Sequence, residues 1–405
     1  MSLAYFISKR LSSKQHSKFT RFIIRLATLA TAISTAFMIL AVAIVIGFKD
    51  TIKDKLFVFW DHIQINQQSN YGHSIIPEQP FLMDPALLQA FEQDNLVEEI
   101  QPYLLKPVII QNQELKHGVR LKGVQQTYLN KKDLSFEKEI DNDFTGSKII
   151  LSKSQASLLN ASIGDSILIY FMGLNDYSPR VRKLELYNIF HTGMQEIDEQ
   201  FALSPLNFLQ DLDQYNNLAI HGYQVALKKT NAIEEDAETL YQKHIEPPMQ
   251  VYPLTKVYPN IFGWLQLLDK NAYIIIIIMA IVSIINLSTA LLIFIIDRTY
   301  MIGILRSIGM QNRNIQQVVV YQGIRIAIKG ILWGLILGLG IAWTQIQFQW
   351  LKLNEEGYYM SYVPIKLIPW HVILIVIGNI LFLSLALYLP SLFSRRIRIL
   401  KALKL

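Results

Sequence analysis

Four stretches of the chain, Leu26 to Phe48, Ala272 to Ile296, Ile326 to Phe348 and Leu367 to Ser394, are apolar for long enough to cross a hydrocarbon core. A core about 30 Å thick takes roughly 20 helical residues, and only helices or closed barrels satisfy their backbone inside it. The first, second and fourth runs hold no Asp, Glu, Lys or Arg. The third holds Lys329 one turn inside its start, where a lysine stem can carry its ammonium to the interface. Its Gly330, Gly334, Gly338 and Gly340 recur at small-residue spacing, which predicts that a neighbouring helix approaches closely, with Gly330, Gly334 and Gly338 as the packing positions. The reading is a helical membrane protein with four transmembrane helices, spanning 26–48, 272–296, 326–348 and 367–394.

Charge sets the expected orientation, because Lys and Arg beside spans are retained on the cytoplasmic side. Residues 1–25 carry Lys9, Arg10, Lys14, Lys18, Arg21 and Arg25 and no acid; the tail 395–405 carries Arg395, Arg396, Arg398, Lys401 and Lys404, again without one. The segment 297–325 adds Arg298, Arg306, Arg313 and Arg325. Both termini and this segment are therefore expected in the cytoplasm. Residues 49–270 hold 20 Lys plus Arg against 29 Asp plus Glu and read as an extracytoplasmic domain, with 349–366 as a second outer loop. The overall net charge of +6 sits beside the spans and not on a soluble module, so it does not point to nucleic acid. Leu3, Phe6, Ile7, Arg10 and Leu11 have helical spacing, so the first residues read either as a short interfacial helix or as a basic tail. The first run lacks a small-residue cleavage site and reads as an uncleaved anchor.

The inserted segment mixes α and β signals. Alternation at His62–Asn66 and the apolar stretches Pro107–Ile110 and Ser166–Phe171 predict strands. Pro85–Phe91 reads as a helix capped by Asp84, and Ala232–His244 as one capped by Asn231. Ile163-Gly164-Asp165 predicts a tight turn into a strand, and Glu246-Pro247-Pro248 a break before the return to the membrane. The fold class is thus membrane α-helical with an α+β extracytoplasmic domain inserted between the first and second helices.

Catalytic and cofactor signatures are missing. Nowhere does Gly-Lys precede Ser or Thr, so the chain has no phosphate-cradling loop and is expected to hydrolyse no ATP. Its eight His, among them His117, His191, His221 and His244, lack metal-ligand spacing and read as structural. It has no cysteine, which removes thiol metal sites and disulfides. Lys329 is the sole Lys, Arg, Asp or Glu inside the spans, and this disfavours an ion-coupled carrier.

The informative segment is Asp297 to Met310, DRTYMIGILRSIGM. Ile302, Leu305, Ile308 and Gly309 fall on one face of a short helix, with Arg298, Arg306 and Arg313 supplying positive charge. Such a helix either inserts into a groove on a partner protein or rests on lipid headgroups.

In this segment Asp297, Arg298, Ile302, Gly303, Ile304, Leu305, Arg306 and Gly309 resemble the coupling helix of the FtsX-like permeases of type VII ABC transporters. Gly47-Phe48-Lys49, Ile163-Gly164-Asp165, Phe190-His191-Thr192-Gly193-Met194 with Asp198, the run from Trp264 to Asp269-Lys270, Tyr358-Tyr359, Val363-Pro364 and Tyr388-Leu389-Pro390 look like the lipoprotein-releasing LolC/LolE branch of that family. Asn175 to Pro179 and the short tail after Leu400 depart from the branch pattern. The resemblance implies a MacB-like periplasmic core domain and a non-catalytic inner-membrane subunit. It also implies two copies of a separate ATPase holding ATP and Mg, a second permease chain, a lipoprotein substrate and a periplasmic chaperone. It further implies an apolar cavity for acyl chains, for which Met38, Val42, Ile278 and Val282 are candidates, each equally readable as packing or lipid-facing. Signalling to cell-wall hydrolases and drug or peptide export are the alternative functions.

Overall fold

The computed structural model describes residues 18–67, 80–130, 134–141, 143–172, 179–212, 218–230 and 232–387. The interfacial helix expected near the N-terminus, the Asn231 cap, the Tyr388-Leu389-Pro390 motif and the basic tail lie outside them. Contacts divide the chain into a helical unit, up to Asp50 with Leu265–Lys352 and from Tyr362 onward, and a sheet unit, Thr51–Trp264 with Leu353–Ser361.

The helical unit is built on long helices, of which the first continues past Asp50 into the sheet unit and the second begins there before Leu265. The first, Lys18–Trp60, runs 43 residues, twelve past the expected end at Phe48, because Ile52, Leu56, Phe59 and Trp60 continue a buried stripe at helical spacing. The second is Pro259–Asp297 and the third Asn312–Phe348, both extending beyond the apolar runs that define them. These three are long and apolar enough to cross a membrane. The last apolar helix, Pro369–Ala386, has 18 residues, and the rest of the expected span, 387–394, is not helix at Leu387 and is otherwise undescribed. Trp343, Phe348, Trp350 and Trp370 are exposed at or near the ends of the third and last helices, where aromatic side chains suit a membrane interface.

The first and third helices meet through glycine. A Cβ placed on Gly330 would lie 2.7 Å from the Thr31 Cβ, on Gly334 2.5 Å from the Ala32 carbonyl oxygen, and on Gly338 3.2 Å from the Ala36 Cα. Gly340 meets nothing within 4 Å, so the small-residue spacing overstates the contact by one position. The facing Thr31 and Thr35 hydroxyls donate back to Ala27 O and Thr31 O, which leaves a flat surface with its polar atoms satisfied. Asn379 of the last helix donates to the Thr35 Oγ1 at 3.0 Å and lies against the Met38 sulfur. Ala27, Leu291, Ile302, Val319, Ile326 and Leu387 belong to the apolar core of this unit.

The sheet unit contains strands β1 (Ile63–Gln67), β2 (Phe81–Leu82), β3 (Val97–Asn112), β4 (Leu115–Val124), β5 (Ser135–Phe136), β6 (Lys148–Ser152), β7 (Ser166–Met172), β8 (Pro179–His191), β9 (Phe201–Pro205), β10 (Ala219–Ile220), β11 (Gly222–Leu227) and β12 (Met249–Pro253). Ten form one sheet in the order β12-β1-β11-β3-β4-β9-β6-β8-β5, and β7 pairs with both β3 and β8. That double pairing closes β3, β4, β9, β6, β8 and β7 into a ring, whose interior is filled by Val108, Ile110, Leu121, Leu151, Ile169 and Leu186 among others. β4 with β9 and β6 with β8 are parallel pairs.

Local chemistry explains the short elements. Asp84 accepts from the Ala86 amide and Pro85 occupies the first helical turn of Pro85–Glu92. Gly164 turns at φ +98° into β7. Ile233–His244 has Ala232 as its N-cap residue, with no side-chain cap hydrogen bond. After Pro248 the chain adds β12 and the turn Leu254–Val257 before the second long helix, so the break at Glu246–Pro248 does not lead directly to the membrane.

His221 is structural. It is buried, and its Nδ1 accepts from the Leu105 amide at 2.9 Å, a bond only the ring unprotonated at that nitrogen can make. Burial, reinforced by the Lys106 ammonium, lowers its pKa from 6.5 to about 4. A folded pKa below the unfolded one means stability that is complete above 6.5 and is lost as the pH falls toward about 4. The melting temperature of the full chain in detergent should therefore drop between pH 6.5 and 4, and His221→Asn, which retains an acceptor, should drop less over that window.

Candidate functional site

Among the described residues, no group of three or more His, Asp or Glu side chains is placed to hold a metal ion. The residues that stand out bind helices and loops to one another, and they form one cluster in each unit plus the short helix after the second long one.

In the sheet unit, β8 ends at His191, and the run Phe190-His191-Thr192-Gly193-Met194 folds around Asp198. The carboxylate of Asp198 accepts from the Thr192 amide at 3.1 Å, the Thr192 hydroxyl at 2.6 Å and the Gly193 amide at 3.1 Å, and His191 Nδ1 lies 3.1 Å away. Gly193, at φ +69°, packs directly against the Lys55 Nζ. Lys55, on the first long helix, donates to the Tyr359 carbonyl at 2.6 Å. The Tyr359 hydroxyl in turn donates to Glu196, and its ring meets Trp264 edge-on. Burial, then the Glu196 hydrogen bond, push the Tyr359 phenol up to about 12, so it remains a donor at any physiological pH. The expected loop 349–366 is thus not a free connector, since Leu353–Ser361 is part of the sheet unit.

A second cluster lies in the helical unit. A Cβ on Gly47 would lie 2.7 Å from the Pro364 carbonyl oxygen, and Lys366 donates its amide to Ala43 O. Lys49 pairs with Asp269 at 2.5 Å and Asp50 with Lys366 at 2.6 Å. The motif residues scattered from 47 to 366 therefore meet in these two clusters. The glycines are visible in the sequence but their partners are not, since these lie up to 319 positions away.

The segment after the second helix forms the helix Thr299–Ser307. Asp297 ends the second helix, with its carboxylate 3.7 Å from Arg298 Nε. Ile302 and Gly303 are buried, Ile302 in the core of the helical unit, whereas Ile304, Leu305 and Arg306 are half-buried and Ile308 is 78% exposed. The single face expected for Ile302, Leu305, Ile308 and Gly309 is divided: Ile302 packs inward, and Tyr300 and Ile308 are presented outward. Gly309, at φ +93°, stops the helix, its amide bonding Arg306 O and the next amide bonding Leu305 O.

Of the acyl-chain candidates, Met38 is buried beside Asn379, Val42 is half-buried, and Ile278 and Val282 are exposed on the second helix.

Residues 273–399 match the family described as FtsX-like permease C-terminal, so the chain carries an FtsX-like permease domain. Over nearly its whole length it is similar to LolC and LolE permeases. It is 22% identical to the lipoprotein-releasing system transmembrane protein LolC of Xylella fastidiosa, covering 97% of this chain and 96% of that one. It is likewise 22% identical to LolE of Haemophilus influenzae, covering 95% of each. Among solved structures, the periplasmic region of MacB from Actinobacillus actinomycetemcomitans aligns over 49% of this chain and 91% of its own, at 11% identity and a TM-score of 0.35. The extracellular domain of the ABC-type transporter YknZ aligns over 47% and 98%, at 17% identity and a TM-score of 0.33.

Proposed function

We propose that this chain is the permease subunit of an ABC transporter that draws lipoproteins out of the bacterial inner membrane and hands them to a periplasmic chaperone. The observation that carries the reading is the similarity to LolC and LolE along almost the entire chain, together with the gathering of the shared motif residues into two bonded clusters. Two copies of an ATPase on other chains hold ATP and Mg, and a second permease chain, the same or homologous, completes the membrane part. Both termini and the Thr299–Ser307 helix face the cytoplasm, where Asp297, Arg298 and Ile304 to Gly309 meet the ATPase, and the sheet unit lies in the periplasm. Four spans, the number read from the sequence, satisfy that topology.

The energetic problem explains the need for ATP. Each buried CH₂ of an acyl chain holds it by about 0.8 kcal/mol, so a multiply acylated protein does not leave the bilayer unaided. The exposed Ile278 and Val282 offer the acyl chains an apolar wall; Met38, committed to Asn379, does not. The motion imposed on the short helix passes along the long helices to the sheet unit, as a two-state element biased by nucleotide.

Depleting the protein and fractionating the membranes tests this. Outer-membrane lipoproteins should accumulate in the inner membrane. A cell-separation defect with normal lipoprotein sorting would favour signalling to a cell-wall hydrolase, and drug sensitivity alone would favour export.

A further inference from the structure

The side chain of Lys122 is completely buried, although neither its strand nor its sequence neighbours mark it as special. Leu121 beside it fills the ring of strands, so Lys122 points to the opposite face of β4. There it meets the C-terminal end of the first long helix. Its Nζ donates to the Phe59 carbonyl at 2.6 Å and to the Gln224 Oε1 of β11 at 2.8 Å. The ammonium also sits 4.4 Å from the ring centroid of Phe59, 4.2 Å from Trp60 and 4.4 Å from Tyr128. The Tyr128 hydroxyl donates to the same Phe59 carbonyl at 2.7 Å.

A buried ammonium is expensive to desolvate, and apolar replacements for buried ionic groups are often neutral or stabilising, so stability alone is a poor reason for this residue. What a cation does here that an apolar side chain cannot is hold the last carbonyls of a helix, the negative end of its dipole, in a fixed direction. One charge joins the first helix, β4 and β11, and Phe59 and Trp60 are themselves buried. No linker intervenes: Asp61, at φ +56°, turns the chain straight into β1, whose Gln64 lies opposite Gln224.

We propose that Lys122 is a positioning residue that locks the end of the first long helix to the sheet, so that movement of that helix reaches the sheet without slack. The mechanical part of this inference rests on the transport reading above; the lock itself does not.

The test uses the full chain in lipid nanodiscs. Because the protein has no cysteine, spin labels at Lys53→Cys and Glu114→Cys report the distance between the helix end and the β3–β4 turn without background. The unsubstituted lysine should give a narrow distribution. Lys122→Met, which fills the same space without charge, should broaden it while the melting temperature holds, and Tyr128→Phe, which keeps the ring but loses one donor to Phe59, should broaden it less. A folded Lys122→Met protein with a distribution as narrow as the parent overturns the lock; if that variant does not fold, an unbroadened Tyr128→Phe overturns it. With the ATPase and a purified acylated lipoprotein added, Lys122→Met should release about tenfold less lipoprotein per ATP, as small misplacements far from the chemistry can cost that much. Broadening with unchanged release per ATP overturns the positioning role. Failure of the parent protein to release any lipoprotein refutes the transport reading and leaves the distance result to stand on its own.

Discussion

Leucine at position 334 is expected to separate the first and third long helices. The Cβ alone would sit 2.5 Å from the Ala32 carbonyl oxygen and 2.6 Å from the Thr35 Cβ, and the first of these is backbone, which cannot swing aside as a side-chain tip can. Overfilling a packed site costs about 1–3 kcal/mol and sometimes more, and a clash with backbone belongs at the upper end. Inside a bilayer no hydrophobic term compensates, because association of spans depends on close van der Waals fit. Separation also strands Asn379, whose amide donates to Thr35 on the same face of the first helix. Gly334→Leu should therefore lower the melting temperature of the detergent-solubilised chain markedly and reduce its membrane yield. Gly340→Leu, with open space around the glycine, should leave both unchanged. Equal melting temperatures for the two variants would mean that the glycine contact does not hold the bundle.

The same stripe shows how far sequence reaches. Spacing alone marks Gly330, Gly334 and Gly338, because four-residue recurrence on a helix is a local property; it equally marks Gly340, and only the position of the facing helix removes it. The capped helix after Asp84, the turn at Gly164 and the strands within 62–66, 107–110 and 166–171 were legible for the same local reason. The ring of six strands was not, since it depends on β7 reaching both β3 and β8 and on parallel pairings between distant segments. No sequence pattern singles out Lys122, and its burial is created by Phe59 and Trp60, which precede it by some 60 residues. Likewise Lys55, Glu196, Trp264 and Tyr359 carry no common pattern, and their meeting is a product of tertiary structure. Helical periodicity correctly makes Thr299–Ser307 a helix, yet it cannot tell which apolar side chains the chain keeps for itself.

That last ambiguity supplies the sharpest functional experiment, because Ile302 and Ile308 are chemically identical and differently placed. Ile302 is buried in the apolar core with Leu291, Val319 and Leu387, so Ile302→Asp would sink an unpaired carboxylate among hydrocarbon and should cost several kcal/mol, seen as loss of folded protein. Ile308 is 78% exposed, so Ile308→Asp should leave the melting temperature of the chain unchanged. If the outward side of this helix seats in an apolar groove of the ATPase, the same substitution places a charge in that groove and should weaken the complex by about tenfold or more, with lipoprotein-stimulated ATP hydrolysis falling in step. Co-purification of the ATPase with each variant, followed by hydrolysis measured with and without lipoprotein, separates the two effects. Should Ile308→Asp bind the ATPase and stimulate hydrolysis like the parent, the exposed isoleucine is not part of the proposed ATPase contact and faces lipid headgroups or water.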